Sequence, residues 1–312
     1  MEQVTCLLCG SNENEVYLKA PSYDWAQEFT VCMCNRCQFL FVNPRPSVTE
    51  IATFYPPSYH ALPQQSNAVR NRVKYWLQYS VLQTFYGWPP RLSPVIARLL
   101  ANKLEPYFGR AFPYALGRRL LDIGSGNGEF LLWVRQLDSS WTLTGVEPSS
   151  NASEMCRKFG LQVWTGTLES KRFPESSFDV VTMWNVLEHL HDPLGTLQEV
   201  RRVLAPGGYV ALVVPNISSP QAKRFGRDWW VLQLPQHLVF FTPFTLREML
   251  ERAGFRLLRI QLRRMTYSHM SLRRQQQSPQ TKRKPSHKQM VVERVLDFFR
   301  EGDVIKAIAQ KE

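Results

Sequence analysis

No run of apolar residues in the 312-residue chain reaches the length of a bilayer-spanning helix, and no charged-then-apolar leader opens it. These two absences predict a cytoplasmic protein without a transmembrane segment. Acidic side chains are in short supply, with 26 Asp and Glu against 38 Lys and Arg and a net charge of +12. Such an excess suits acidic partners, among them nucleic acid, phosphorylated metabolites or anionic lipid, and serves simple solubility equally well. Cysteine is almost missing after the first 37 residues, which hold five of the six. In a reducing compartment that distribution argues against a disulfide framework and for metal ligands. No internal repeat is evident. The 44% hydrophobic content supports a sizeable core, and the length fits one large α/β domain with something small attached.

The small part is the N-terminus. Cys6-Leu-Leu-Cys9 and Cys34-Asn-Arg-Cys37 are two CxxC knuckles. Each can bind Zn²⁺ from one tight turn, and together they complete a four-sulfur structural shell with no open coordination position. Cys32 is a spare that could replace Cys34, although the CxxC register favours Cys34 and Cys37. Such a site holds together a segment too small for its own core, and no catalytic role is assigned to it.

The segment Leu120–Phe130, LLDIGSGNGEF, runs from an apolar strand through a glycine-rich turn into a helical pattern. Gly124, Gly126 and Gly128 permit a sharp turn, close backbone approach to a ligand and tight helix packing, and Asp122 closes the strand. Glu147 ends the next apolar run at the distance expected of a ribose-binding acid. The spacing is GxGxG and not GxGxxG, so the pyrophosphate argument of the dinucleotide motif does not transfer.

Residues 1–45 are therefore expected to form a zinc-binding arm, 46–116 a proline-broken loop and helical connector or lid, and 117–312 an α/β domain with a basic insertion at about 263–288. In that domain apolar β-type runs at 119–123, 143–146, 161–164, 178–183 and 209–214 alternate with helical patterns, predicting a doubly wound parallel sheet. A Leu204-Ala-Pro-Gly-Gly208 turn is expected before the fifth strand, a short helix over 245–253, a sixth strand over 255–262, and a final helix, Gly302-Asp303 turn and strand.

LLDIGSGNGEF, GVEPS, SFDVVTMWNVLEHL, RVLAPGGYVALVVPN and HLVFFTPFTLREMLERAGF, in this order, together resemble the class I S-adenosylmethionine-dependent methyltransferases over nearly the whole chain. The resemblance implies a Rossmann-like seven-stranded sheet with the last strand antiparallel, and S-adenosylmethionine as methyl donor. It places the glycine turn under the methionine and ribose portions, Glu147 on the ribose hydroxyls, residues 166–169 near adenine, and Asn185 beside the donor's amino-acid end. The cysteine arm followed by FVNPRP and FYPPSYH is similar to the deoxysugar C-methyltransferases, which implies a small-molecule, sugar-linked acceptor. An RNA- or quinone-directed methyltransferase and a non-catalytic scaffold retaining the fold are the alternatives.

An acceptor hydroxyl or carbon acid needs a base, and histidine suits that task at neutral pH. His189 follows the fourth strand and so belongs at the carboxyl edge of the sheet, where ligands of open α/β folds bind. His237 is the second candidate, since the resembling sugar enzymes carry an acid-His pair there; in this chain the acid is Gln236. Tyr59 matches a tyrosine that reaches the site in such enzymes, with Tyr55 as its competitor. Asn185-Val-Leu-Glu188-His189 is similar to the ExxEH metal motif of some RNA and quinone methyltransferases, but Asn185 replaces the first acid. One carboxylate and one histidine make a poor hard-metal site, so no catalytic metal is assigned. His191 is expected at a surface or turn.

Overall fold

The computed structural model describes residues 1–22, 26–55, 118–137, 139–263, 270–272, 274 and 302–312. Most of the expected connector, most of the basic insertion and the helix before Gly302 lie outside these residues, and so does Tyr59.

Eleven strands among the described residues form two sheets. The arm supplies β1 (Asn14–Pro21), β2 (Glu28–Cys34) and β3 (Leu40–Val42), which pair antiparallel in sequence order. No strand was expected there. The second knuckle turns on Gln38, whose φ of 60° lies in the left-handed region, and Cys34 N–H donates to Phe39 O to start β3. A fourth strand, β9 (Val239–Phe240), comes from far along the chain and pairs with β3. The arm's sheet therefore extends beyond residues 1–45.

The large sheet contains β4 (Arg119–Ile123), β5 (Thr142–Glu147), β6 (Gln162–Thr165), β7 (Phe178–Trp184), β8 (Leu204–Pro215), β10 (Phe255–Arg263) and β11 (Val304–Lys311). Its order is β10-β11-β8-β7-β4-β5-β6, and β11 runs antiparallel to both neighbours. This is the expected Rossmann-like sheet of seven strands with the last one reversed. The chain steps outward from β4 to β6 and then returns to β7 on the other side of β4, so a topological switch point lies at the carboxyl ends of β4 and β7. β4 and β7 are apolar on both faces because helices cover both, as a parallel sheet requires.

The helices begin where their caps dictate. Ser149 caps α2 (Ser150–Lys158) by accepting from Ala152 N–H; α1 (Glu129–Leu137) precedes it and α3 (Leu168–Lys171) follows. Asp192 caps α4 (Pro193–Val203), with proline pre-set at the first helical position. After α5 (Pro220–Phe225), Thr242 and Thr245 form a reciprocal capping pair at the start of α6 (Pro243–Arg252), two residues earlier than the sequence pattern suggests. The Leu204–Gly208 segment is no separate turn: Leu204 pairs with Phe178, and the register to Val180 then jumps to Tyr209, so the extra residues bulge out of β8.

One continuous apolar cluster runs from Cys34, Phe39 and Phe41 in the arm to Leu121, Val181 and Leu212 in the sheet. Phe39 and Phe241 pack with ring centroids 5.5 Å apart at the junction. The arm is thus built into the same core as the sheet.

Candidate active site

An open cleft of about 1450 Å³ lies over the carboxyl ends of β4, β5 and β7. One wall is the glycine turn. Gly124 and Ser125 N–H both donate to Val146 O, which draws the turn against β5. Gly124, Gly126 and Gly128 all have positive φ, and they do different jobs. A Cβ on Gly124 would lie 2.5 Å from Val186 Cγ2, and one on Gly128 would lie 2.5 Å from Leu161 Cδ1. A Cβ on Gly126 meets nothing within 4 Å and would stand in the cleft.

Glu147 ends β5 with its side chain 3% exposed. Its Oε2 accepts from Gly126 N–H at 2.8 Å and its Oε1 from Ser149 N–H at 2.9 Å. Each carboxylate oxygen has a further lone pair, so the group is aimed and still able to accept from a pair of vicinal hydroxyls. Asn185 follows β7 in the left-handed region at φ 50°, a conformation asparagine tolerates, and it lines the cleft. These residues fit an adenosyl ligand: bare backbone beside an acid whose remaining lone pairs suit two hydroxyls.

Asp122 is placed differently. It is 1% exposed, lies below the turn outside the cleft wall, and accepts from Thr182 Oγ1 at 2.6 Å. Burial, with the Glu147 charge adding to it, raises its carboxyl to about 7. Gly128 likewise packs α1 against the sheet and does not face the cleft.

His189, in a short 3₁₀ turn of Leu187–His189, lines the same cleft as the glycine turn. Its Nδ1 is 2.9 Å from Gln236 O and 3.1 Å from the hydroxyl of Tyr55. A carbonyl can only accept, so Nδ1 carries the hydrogen and the lone pair of the neutral ring lies on Nε2. Tyr55, the competitor of Tyr59, reaches the site among the described residues, and Tyr59 lies outside them. His237 packs edge-on against His189 with centroids 4.6 Å apart. Burial, reinforced by the His189 ring, pushes its imidazole well below the ordinary histidine range. Gln236 Nε2 donates to Phe54 O at 2.6 Å, a bond that an ionised acid in its place could not make, and so anchors the turn carrying Tyr55. His191 sits in a bend with Nε2 3.0 Å from Pro46 O.

Sequence reasoning weighed Glu188 only as a metal ligand of the ExxEH-like segment and assigned it no role. Its carboxyl is 1% exposed, neither oxygen has a hydrogen-bond partner among the described residues, and burial raises it to about 8. It shares a 4.8 Å cluster of potential ligand atoms with His189 and His237. Val48, Ile51 and Trp184 were also missed as cleft-lining residues; they are ordinary apolar positions whose role appears only in three dimensions.

A domain model described as a methyltransferase domain matches residues 89–260. The chain belongs to the class I S-adenosylmethionine-dependent methyltransferase family. It is 34% identical over 105 residues to an uncharacterized methyltransferase of Schizosaccharomyces pombe, covering 30% of this chain and 38% of the relative. It is 31% identical over 124 residues to a ubiquinone biosynthesis O-methyltransferase of Methylococcus capsulatus, covering 38% and 52%. A demethylmenaquinone methyltransferase of Tropheryma whipplei is 32% identical over 122 residues, covering 38% and 48%. The chain thus spans between about two fifths and one half of these relatives' lengths. Among solved structures, an S-adenosylmethionine dependent methyltransferase from Mesorhizobium loti aligns with a TM-score of 0.46 and 17% identity, covering 64% of this chain and 94% of that one.

The arm brings Cys6, Cys9, Cys34 and Cys37 together, each Sγ within 4.8 Å of the others. The Cys6–Cys37 and Cys9–Cys34 sulfurs are 3.4 and 3.5 Å apart. A tetrahedral zinc with bonds of about 2.3 Å holds its sulfurs roughly 3.8 Å apart, so the donor set fits with a small expansion. Burial pushes the Cys6 thiol up to about 11, and ionising such a group calls for a cation beside it. Cys32 stands outside the cluster with Sγ directed to Asn43 O. Among the described residues no helix is long and apolar enough to cross a membrane.

Proposed function

We propose that the protein transfers the methyl group of S-adenosylmethionine to a small polar acceptor, with a nucleotide- or glycan-linked sugar as the leading class. One observation carries this reading: a single cleft is lined by the glycine turn, Glu147 and a histidine whose lone pair lies on Nε2. Gly124, Gly126, Glu147 and Asn185 form the donor side. His189 is the base, Tyr55 and the Gln236 carbonyl fix its ring, and His237 supports it from behind. The sulfonium supplies an electrophilic methyl group when bound; the chain's task is to align the acceptor, take its proton and exclude water. Cys6, Cys9, Cys34 and Cys37 hold a structural zinc.

The sugar class is supported by the likeness of the cysteine arm and the FYPPSYH segment to the deoxysugar enzymes. A second reading, a phenolic or quinone-type acceptor, is favoured by the names of the ubiquinone and menaquinone relatives and by the apolar Val48 and Ile51 at the cleft. Incubation with methyl-labelled donor and parallel panels of nucleotide sugars and catechols tests both. Label transfer to a nucleotide sugar is expected; transfer to catechols alone would replace the first reading with the second, and failure to bind donor in calorimetry would remove both.

A further inference from the structure

Among the described residues, both carboxyl oxygens of Glu188 and Nδ1 of His237 are buried without a hydrogen-bond partner, as is Oε1 of the neighbouring Gln236. The Glu188 and His237 side chains are almost wholly buried, at 1% and 3% exposure. In a neutral imidazole one nitrogen carries the hydrogen and the other accepts, so a donor beside the unpartnered Nδ1 would satisfy it and leave the hydrogen on Nε2. The neighbouring Gln236 makes no such bond: its amide nitrogen donates to Phe54 O. A carboxyl oxygen of Glu188 and a ring nitrogen of each histidine lie within 4.8 Å of one another. One proton resolves both deficits.

We propose that Glu188 is a positioning residue whose neutral carboxyl donates a hydrogen bond to Nδ1 of His237 and thereby fixes the tautomers of the His237–His189 pair. With Glu188 neutral, no negative charge lies beside His189 to stabilise its imidazolium, and the ring stays in the form that accepts a proton. Were Glu188 ionised, both imidazoles would be drawn toward protonation and the base would be lost. The backbone ties the parts together, since Glu188 O accepts from Leu238 N–H, the residue after His237. The groups that face Glu188 are thus His189 and His237, with Tyr55 beyond His189.

The catalytic consequence rests on His189 being the base; the placement of the proton does not, and the test separates the two. Histidine side-chain nitrogen NMR of the full-length protein saturated with S-adenosylhomocysteine needs no acceptor. The expected spectrum shows His237 as the Nε2–H tautomer with a hydrogen-bonded Nδ1. Glu188→Gln, which still offers an N–H donor, should keep that signature, while Glu188→Leu should shift Nδ1 to the position of an unbonded nitrogen. If Glu188→Leu fails to fold, as judged by loss of S-adenosylhomocysteine binding, pH is the second measurement. Between about pH 7 and about pH 9 the wild type should lose the Nδ1 bond as the acid ionises, and Glu188→Gln should keep it. With an acceptor in hand, Glu188→Gln should retain turnover and Glu188→Leu should lose it by roughly 10- to 100-fold at unchanged donor affinity. An Nδ1 signal insensitive to both Glu188→Leu and pH would overturn the proposal. So would a divalent metal beyond the four-cysteine site, found by elemental analysis of the wild type and lost in Glu188→Gln, because the cluster would then be a cation site.

Discussion

Replacing Glu147 by glutamine is the sharpest perturbation of the donor side, because it changes one charge and almost no volume. Both carboxylate oxygens already accept backbone N–H groups, from Gly126 and Ser149. A glutamine has only one accepting oxygen, so its amide nitrogen must face one of those N–H groups, donor against donor. A buried N–H left unsatisfied costs about 1–3 kcal/mol, which should lower the melting temperature by several degrees without unfolding the chain. Donor binding suffers separately. A ribose hydroxyl that donated to a carboxylate now meets an amide, and the lost charged hydrogen bond is worth about 1.5–3 kcal/mol, or roughly 10- to 150-fold in Kd. Calorimetric titration of both proteins with S-adenosylhomocysteine reads this directly. A Kd within about twofold of wild type, in a variant that melts cooperatively, would refute the assignment of Glu147 to the ligand.

The glycines offer a paired test. Gly126→Val should fold and lose donor affinity by at least roughly tenfold, whereas Gly128→Ala should lower the melting temperature by crowding Leu161 and Cys156, both readable in one thermal-shift titration. Tyr55→Phe removes the hydroxyl beside His189 and should reduce kcat while leaving donor Kd unchanged in calorimetry. Glu188 also gives a pH prediction. Its folded pKa of about 8 lies above the ordinary carboxyl value of 4.5, so between those values the folded chain holds a proton that the unfolded chain has released, and stability falls as pH rises. Glu188→Gln removes that dependence, so the variant's stability relative to wild type should rise from about pH 5 to about pH 8 by up to ~1.4 kcal/mol per unit in denaturant melts; a difference independent of pH would contradict a protonated Glu188. Stripping metal with a thiol-reactive reagent and chelator should abolish turnover, with S-adenosylhomocysteine binding the less affected of the two.

The sheet was legible because its signals are local. Apolar runs bounded by glycine and proline mark β4, β5, β7 and β10 to within a residue or two, and the spacing of Glu147 behind the glycine turn fixes β5 against β4. The four cysteines were legible for a similar reason, since chelate spacing is written in the sequence. β1 to β3 were not, because the cysteines and short polar stretches of the arm hide the alternation of a half-buried strand, and β9 is two residues that become a strand only by meeting β3. The acceptor side is the least local of all. Tyr55 and His189 are separated by 134 positions, and nothing near either one in sequence announces the other. Glu188 was read only as part of the ExxEH-like segment, because its burial without a partner among the described residues appears only in the fold.

The pairing of β3 with β9 has a consequence for anyone shortening this chain. Val42 N–H donates to Leu238 O, and Leu238 N–H in turn donates to Glu188 O. Three segments far apart in sequence are thus stitched edge to edge, and the histidines hang from the seam. A fragment trimmed of its first four dozen residues, as though the cysteine knuckles were a detachable tag, would keep the nucleoside-facing half of the groove and set adrift the loop that carries His237.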